Sequence, residues 1–418
     1  MHSPPFVVIV DSYAPTQILV DQFRKAGAQL IRVQSTVDIP RVYEDWSGPT
    51  GYVANIVHTG DLATTIAKVA EYQPTAVLAG GEIGVELADA LAEALDLPGN
   101  GTRLSAARRD KYVMIETVRQ AGLAAARQKR VESATELMDW HTATGGRIVV
   151  KPIRSSGGDS IFVCDTPDQS AAAFSRIHGA NNIFSTRNVG ALAQEYLRGT
   201  EYIVNTVSRD GNHRICDVWC TTRISVNGML DLVDTEYLMP RSGAVQDVLA
   251  AYAIEVLDAL EIRYGAAHLE IRVTSRGPVL VEVGARICGA GLPYYAQVAQ
   301  GESQLDWTVM AYLDPAQFLA TYQESRPDRN FCAFVGLVSP ATGILRRYRD
   351  LSTLHRLESF YELKIAVQPG QPIYRTVDDL TYPGIVILMH ESEETIRRDA
   401  NTIRYLDGPS FYDISPTQ

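Results

Sequence analysis

The chain predicts an α/β protein that opens on a parallel sheet covered by helices and continues as α+β with antiparallel hairpins. Three observations carry this. Apolar β-branched runs alternate with helical-period segments over the first hundred residues. Beyond them, long strand-like runs flank turns at Asp210-Gly211 and near Arg276. The length, 418 residues, implies two to three domains at roughly 150 residues each.

The elements follow in order. Val7–Val10 is a first strand, and its Phe6-Val7-Val8-Ile9-Val10 run meets Asp11 too soon for a signal peptide. Ile18, Leu19, Phe23 and Ala26 recur at helical spacing until Gly27. A strand runs near Leu30–Val33. A helix starts at Asp61, and a further strand, Ala76–Ala79, precedes a helix bearing Val85, Ala88, Leu91 and Leu95. Right-handed βαβ units place ligands beyond the strand C-termini, here Asp11-Ser12-Tyr13 and Gly80-Gly81-Glu82. Glu82 either caps the following helix or meets a substrate amine. Ser105 is read as the cap of a helix through Met114 and Val118, and Ser133 with Glu136 as a capping box. Strand Ile148–Lys151 enters a Gly-rich turn and returns as Ile161–Cys164, followed by a helix near Ala171–His178 and a strand Ala191–Leu197. A long helix presents Val245, Val248, Leu249, Tyr252, Val256, Leu257 and Leu260 as its buried stripe. A hairpin spans about Ala266–Val283, and the tail from about Phe331 is β-rich with a helix near Glu393–Ile403.

Composition narrows the function. With 38 basic and 49 acidic residues the net charge is −11, against a general nucleic-acid binder or a protein held to anionic membranes. No apolar run approaches a membrane span. Five scattered cysteines argue against a disulfide framework and suit a reducing cytoplasm; Cys216 and Cys220 read as two thiols, not a zinc site. The first turn, D-S-Y-A-P, lacks the glycines of a dinucleotide fingerprint, and no Gly-Lys pair offers a P-loop. Only six residues are lysine, Lys25, Lys68, Lys111, Lys129, Lys151 and Lys364; they either mark sites where a compact ammonium matters or fall there by chance.

Chemistry gathers in three segments. In H-L-E-I-R-V-T-S-R-G-P-V-L-V-E, residues symmetric about Arg276 stand opposite, so Glu270 faces Glu282. Two facing carboxylates destabilise a hairpin unless a cation lies between them, and an all-oxygen pair suits magnesium carrying phosphates; two solvated glutamates on an outer face are the plainer reading. His268 and Arg286 flank the pair and make a polar cluster. In V-V-K-P-I-R-S-S-G-G-D, Lys151 ends a strand and Ser155-Ser156-Gly157-Gly158 forms a loop whose N–H groups can close on phosphate, although a Gly-rich turn is commonly innocent. In E-Y-L-R-G-T-E, a strand end at Leu197 can offer backbone groups to an adenine edge, with Glu201 near ribose hydroxyls, or is simply an exposed turn.

These segments, in this order, with Asp110-Lys111 ahead of them and V-E-V-G-A-R closing the hairpin, resemble the ATP-grasp superfamily. Within it, G-G-E-I-G-V-E-L-A-D-A-L, L-P-G-N-G-T and E-V-G-A-R-I-C-G look like the carboxylate–amine ligases that include bacterial L-amino-acid ligases. The resemblance covers essentially the whole chain. It implies an N-terminal Rossmann-like domain (1–105), a small lid lobe (106–194), a large lobe with the metal site (195–330) and a C-terminal antiparallel, β-rich part (331–418). It implies Lys111, Lys151, Ser155, Ser156, Gly157 and Gly158 on the nucleotide phosphates, Glu195, Tyr196 and Leu197 at adenine, and Glu201 at ribose. Glu270 and Glu282 would hold two magnesium ions, with manganese able to substitute, Arg286 would steady the transferred phosphoryl group, and His268 would line the amino-acid pocket. Many members carry an Asn ligand where this chain has Gly284. The implied activity is ATP-dependent amide formation between amino acids, giving ADP and phosphate, by a cytoplasmic homodimer with no nucleic-acid or membrane partner. The rival readings are another acceptor such as bicarbonate, and a non-catalytic nucleotide-binding regulator.

Overall fold

The computed structural model describes residues 4–13, 16–44 and 48–416. Its first sheet holds β1 (Phe6–Val10), β2 (Gln29–Gln34), β3 (Ala54–Val57) and β4 (Ala76–Ala79), all parallel, in the order β3-β2-β1-β4. Strand β3 escapes the sequence pattern because only Ile56 of its four side chains is buried. Helices α1 (Gln17–Lys25), α2 (Leu62–Ala70) and α3 (Val85–Ala94) cover the sheet, and Asp61 caps α2 as expected. The turn before α3 lies directly on the end of β1. A Cβ on Gly80 would sit 2.6 Å from the Ile9 side chain, on Gly81 2.5 Å from the Asp11 carbonyl oxygen, and on Gly84 2.7 Å from that of Val10. Those glycines permit the close approach.

Helix α4 (Lys111–Gln120) is capped by Asp110, not by Ser105: the Asp110 carboxylate accepts from the N–H of Tyr112 and Val113, both at 3.0 Å. A 3₁₀ turn at Ala106–Arg108 intervenes, and the Ser105 hydroxyl donates to Asp89 instead. A four-stranded sheet then forms from β5 (Gln128–Val131), β6 (Ile148–Lys151), β7 (Phe162–Cys164) and β8 (Ala191–Glu195), in the order β5-β8-β6-β7. Helices α5 (Ala134–Thr144) and α6 (Pro167–Ile177) back it. Ser133 caps α5, but Glu136 reaches the Glu132 N–H, so the reciprocal half of the box is shifted by one residue.

The large sheet is antiparallel and eight-stranded. Its chain-order members are β9 (Gly199–Arg209), β10 (Asn212–Val226), β11 (Met229–Leu238), β12 (Gly265–Thr274), β13 (Gly277–Gly284) and β14 (Phe331–Gly336). After β15 (Gly343–Tyr348) come β16 (Phe360–Ile365), β17 (Pro372–Ile373), β18 (Gly384–His390) and β19 (Tyr412–Ser415). The order is β13-β12-β9-β10-β11-β14-β18-β16, so tail strands extend the large sheet across residue 331, while β17-β15-β19 form a small sheet of their own.

Helix α7 (Ala244–Ala259) covers one face with Leu249, Tyr252, Ala253, Val256 and Leu257, against α4 and the β12–β13 hairpin. The expected stripe is too long by a turn: Val245 and Val248 are 37% and 47% exposed, because the first turn of α7 runs beyond the core it covers. Helix α8 (Leu292–Gln300) packs on the other face over Trp219, Leu238 and Phe334, and α9 (Gln304–Leu313) joins that sheet to the first domain through Trp307 and Leu305 beside Leu19 and Phe23. Among the described residues no helix is long and apolar enough to cross a membrane.

Candidate nucleotide and ligation site

The β12–β13 hairpin places Glu270 opposite Glu282. The turn itself sits slightly earlier than expected, with Thr274 opposite Gly277, and a bulge between Glu270 and Ile271 brings the two carboxylates into line. Each has its own cation. Lys111, held at the first turn of α4 by the buried Met114, Ile115 and Val118, puts Nζ 2.9 Å from Glu282 and donates to the Ser155 carbonyl oxygen at 2.5 Å. His268 Nε2 lies 3.5 Å from Glu270. Burial pushes the Glu270 carboxyl up, but the hydrogen bond and charge of His268 outweigh it and hold it below its ordinary value.

A cleft of about 420 Å³ opens over this hairpin, between the β5-β8-β6-β7 sheet and the large sheet. It is lined by Lys111, Lys151, Ser155, Ser156, Gly157, Gly158, Glu195, Tyr196, Leu197, Glu201, Glu270 and Glu282. Lys151, 2% exposed at the end of β6, has its ammonium pushed down to about 8 by burial, against the opposing pull of Glu282. Gly157 and Gly158 both adopt left-handed backbone, φ +64° and +71°. The loop is braced from below: Ser155 Oγ donates to Asp159 at 2.6 Å, and Asp159 accepts the Ile183 N–H at 3.1 Å.

At the other end, the Tyr196 ring lies between the guanidinium groups of Arg147 and Arg272, at 5.3 and 5.4 Å. The Leu197 carbonyl oxygen accepts from Arg272 at 2.8 Å, so that backbone group is already engaged. The Glu195 carboxylate is held by Arg127 and by Arg276 at 2.8 Å. Glu201 is clamped by Arg272 at 2.8 Å and Arg223 at 2.6 Å; burial raises its carboxyl, and the two arginines more than reverse this. Arg272 follows Glu270 by two residues and shares its face, so strand parity was the signal for it; Arg223, past two bulges, offered none.

Arg286 and His268 stand outside the cleft lining. Arg286 Nε is 3.2 Å from Glu82, and Arg109 pairs with the same carboxylate. Glu82 therefore neither caps α3 nor stands free: burial raises it, and Arg109 and Arg286 hold it down. Gly284 belongs to this contact, since a Cβ there would lie 3.1 Å from both Arg286 Cζ and Glu82 Oε2. The Glu82–Arg109–Arg286 group is invisible in sequence because its members come from three segments.

The donor set suits a divalent cation carrying phosphates. Burial, then the charge of Asp379, raises Glu236 to about 7; Asp379 is itself raised to about 6, chiefly by burial. Both line the cleft near Glu270, so the cleft holds more carboxylate than its own cations neutralise. Among the described residues no group of three or more His, Cys, Asp or Glu gathers to hold a metal unaided. Magnesium typically takes one or two carboxylates plus phosphate oxygens, which is what Glu270 and Glu282 offer.

The fold, with two lysines and two facing carboxylates on one cleft, is of the ATP-grasp class, and comparison with known proteins agrees. The ATP-grasp domain family matches residues 145–293. Dapdiamide A synthase of Enterobacter agglomerans is 31% identical over 99% of this chain and 98% of its own. The L-amino acid ligase of Bacillus licheniformis superposes with a TM-score of 0.76 over the full length of both chains at 16% identity. The carboxyaminoimidazole ribonucleotide synthase of Aspergillus clavatus, complexed with ATP, gives 0.67 at 14% identity, over 97% of this chain and 100% of that one. The chain belongs to the ATP-grasp carboxylate–amine ligases, the family of dapdiamide A synthase. It is an ATP-dependent ligase that forms amide bonds.

Proposed function

We propose that this ligase joins the carboxylate of one amino acid to the amine of another through an acyl phosphate. The observation that carries the reading is the Glu270–Glu282 pair, set beside Lys111 and Lys151 on one side and leading to Arg286 on the other. The substrate carboxylate attacks the γ-phosphorus of ATP, and ADP leaves. The amine then attacks the acyl carbon and expels phosphate. Such transfer needs positioning and charge neutralisation more than covalent help.

In this reading Lys111, Lys151 and the Ser155–Gly158 loop bind the phosphates, and the sheet of residues 128–195 closes over them as a lid that keeps water from the acyl phosphate. Glu195, Tyr196 and Leu197 border adenine. Glu201, held by Arg223 and Arg272, borders the ribose. Glu270 and Glu282 would hold magnesium, two ions with manganese able to substitute, which neutralises phosphate charge. Gly284 offers no side-chain ligand, so water or phosphate would complete the second ion. Arg286, oriented by Glu82, steadies the phosphoryl and acyl groups, and His268 borders the amino-acid pocket. A cytoplasmic homodimer completes the proposal, and sedimentation of the purified chain tests its dimeric state.

Phosphate release with the amino acids offered in pairs identifies the substrates. With oxygen-18 in the substrate carboxylate, released phosphate is expected to carry the label. Label confined to the amide and unreacted acid overturns carboxyl activation.

A further inference from the structure

Three neighbouring strands of the large sheet put one polar row beneath the hairpin. Asp217 on β10 stands opposite Asn205 on β9, and Asn205 opposite His268 on β12. The next row on the same face runs Glu270, Ile203, Trp219 and Leu238, and is apolar from β9 onwards. On β9 and β10 the polar pair Asn205 and Asp217 therefore sits beside a row that is apolar there. All three are buried: Asp217 is 7% exposed, Asn205 0% and His268 8%.

The hydrogen bonds run in one direction. Asp217 Oδ1 accepts from Asn205 Nδ2 at 2.6 Å and from Trp219 Nε1 at 2.7 Å. Its Oδ2 is buried without a hydrogen-bond partner among the described residues, a costly arrangement to retain. Because the carboxylate accepts, the Asn205 amide nitrogen must face it, and the amide oxygen must face His268 Nδ1, 3.0 Å away. An amide oxygen only accepts. His268 Nδ1 therefore carries a hydrogen, and Nε2 is the ring atom turned to Glu270. Burial raises Asp217 to about 6, yet protonation leaves the order unchanged, since two N–H groups already occupy Oδ1 and a proton would go to Oδ2.

We infer that Asp217 and Asn205 are positioning residues that hold the ring of His268 in orientation and in plane, with its Nδ1–H on the Asn205 amide oxygen and Nε2 turned to Glu270. The inference rests on the proposed place of His268 at the amino-acid pocket. Partners of this kind commonly alter activity 10–100-fold when removed, although they touch no substrate.

A double-mutant cycle tests it, read as kcat with whichever amino-acid pair releases phosphate. Asn205→Leu is expected to lower kcat about 10–100-fold with the KM for ATP within about twofold, and to cost less than about twofold more in a His268→Gln background. An equal loss in both backgrounds shows a structural role and overturns the inference. Asp217→Asn keeps an acceptor at Oδ1 and should recover most of the kcat lost in Asp217→Leu; failure to recover it also counts against the row. This second pair decides the matter if Asn205→Leu does not fold. Nitrogen-15 histidine spectra supply a readout apart from turnover. A ring Nδ1–H signal absent in His268→Gln and exchange-broadened in Asn205→Leu is expected, and an unprotonated Nδ1 in the wild-type chain overturns the inference. Should the wild type release no phosphate with any amino acid, the ligase reading fails, and the spectra still decide whether Nδ1 carries its hydrogen.

Discussion

Two carboxylate centres packed against the large sheet are treated in opposite ways. Glu302, before α9, is 4% exposed and receives Arg214 at 2.9 Å, Arg241 at 2.6 Å, Arg326 at 3.0 Å and the Trp307 indole N–H at 3.2 Å. The carboxylates of the hairpin end of the cleft have far less: among the described residues Glu282 pairs with Lys111 and Glu270 with His268, and Glu236 and Asp379 have been pushed up towards neutrality. One centre is closed by the protein's own arginines. The other is left short of positive charge, which a cation bound with nucleotide would supply. A complete set of partners marks a carboxylate that needs no cation, and an incomplete set marks the pair proposed to hold one.

The comparison is broken most directly at Glu282. Glu282→Gln removes a hard anionic oxygen and should lower kcat by roughly 10³-fold or more, about 4 kcal/mol. Stability of the metal-free chain should change by less than about 1 kcal/mol, since the lost pair with Lys111 is offset by relief of repulsion from Glu270. Turnover near wild type at saturating magnesium would leave the facing carboxylates as a solvated pair.

Glu302→Gln should do the reverse. It strands three arginines, and a loss of about 2–4 kcal/mol in denaturant unfolding is expected, with kcat per folded molecule within about threefold. The sign with pH follows from the depressed carboxyl: burial raises Glu302, but Arg214 and Arg241 hold it below its unfolded value. Its contribution is therefore present above the unfolded pKa and lost as pH falls through the folded one. Wild type should lose stability on acidification more steeply than the variant.

How far the sequence reaches can be judged on the same two strands. Glu270 and Glu282 are legible because antiparallel pairing is arithmetic once a turn is located, and because the bulge beside Glu270 happened to compensate a half-residue error in the turn. The row Asp217–Asn205–His268 is not legible for the same reason inverted: counting from Asp210-Gly211 pairs Asn205 with Cys216, and the bulge between Ile215 and Asp217 corrects it only in three dimensions. The parallel first sheet and most helices follow from periodicity, while β3 and the true cap of α4 depend on tertiary neighbours. Arg286 is placed by its spacing from Glu282, but its partners Glu82 and Arg109 are joined to it only by docking of the first domain on the hairpin.

Lys151 sharpens the charge comparison from the cationic side. Burial lowers its ammonium to about 8, so in the free enzyme the charge fades as pH rises through that value. The kcat/KM for ATP should accordingly fall above about pH 8, whereas kcat should hold to higher pH because bound phosphate favours the charged form. Between the folded value and the unfolded one near 10.5 the unfolded chain binds more protons, so this residue makes the fold more stable as pH rises across that window. Lys151→Met should thus raise stability at pH 7 by about 1–3 kcal/mol while weakening ATP binding, and no gain at pH 7 would show that the ammonium is solvated.

The smallest effect is expected at Glu236, and it separates a shortage of cations from mere burial. Its carboxyl is raised to about 7, first by burial and then by Asp379, against an unfolded value of 4.5. The folded chain therefore holds an extra proton between these values, and stability contributed here falls as pH climbs from about 4.5 through 7. Glu236→Gln imitates the protonated form. It should stabilise the metal-free chain by about 1–2 kcal/mol at pH 8 and by almost nothing at pH 5, as read from urea unfolding at the two values. Desolvation alone would persist whatever happens to its neighbours, but the part due to Asp379 would not. Adding Asp379→Asn should therefore shrink the Glu236→Gln gain at pH 8, whereas an undiminished gain would make Glu236 a case of burial only and confine the charge deficit to the Glu270–Glu282 hairpin.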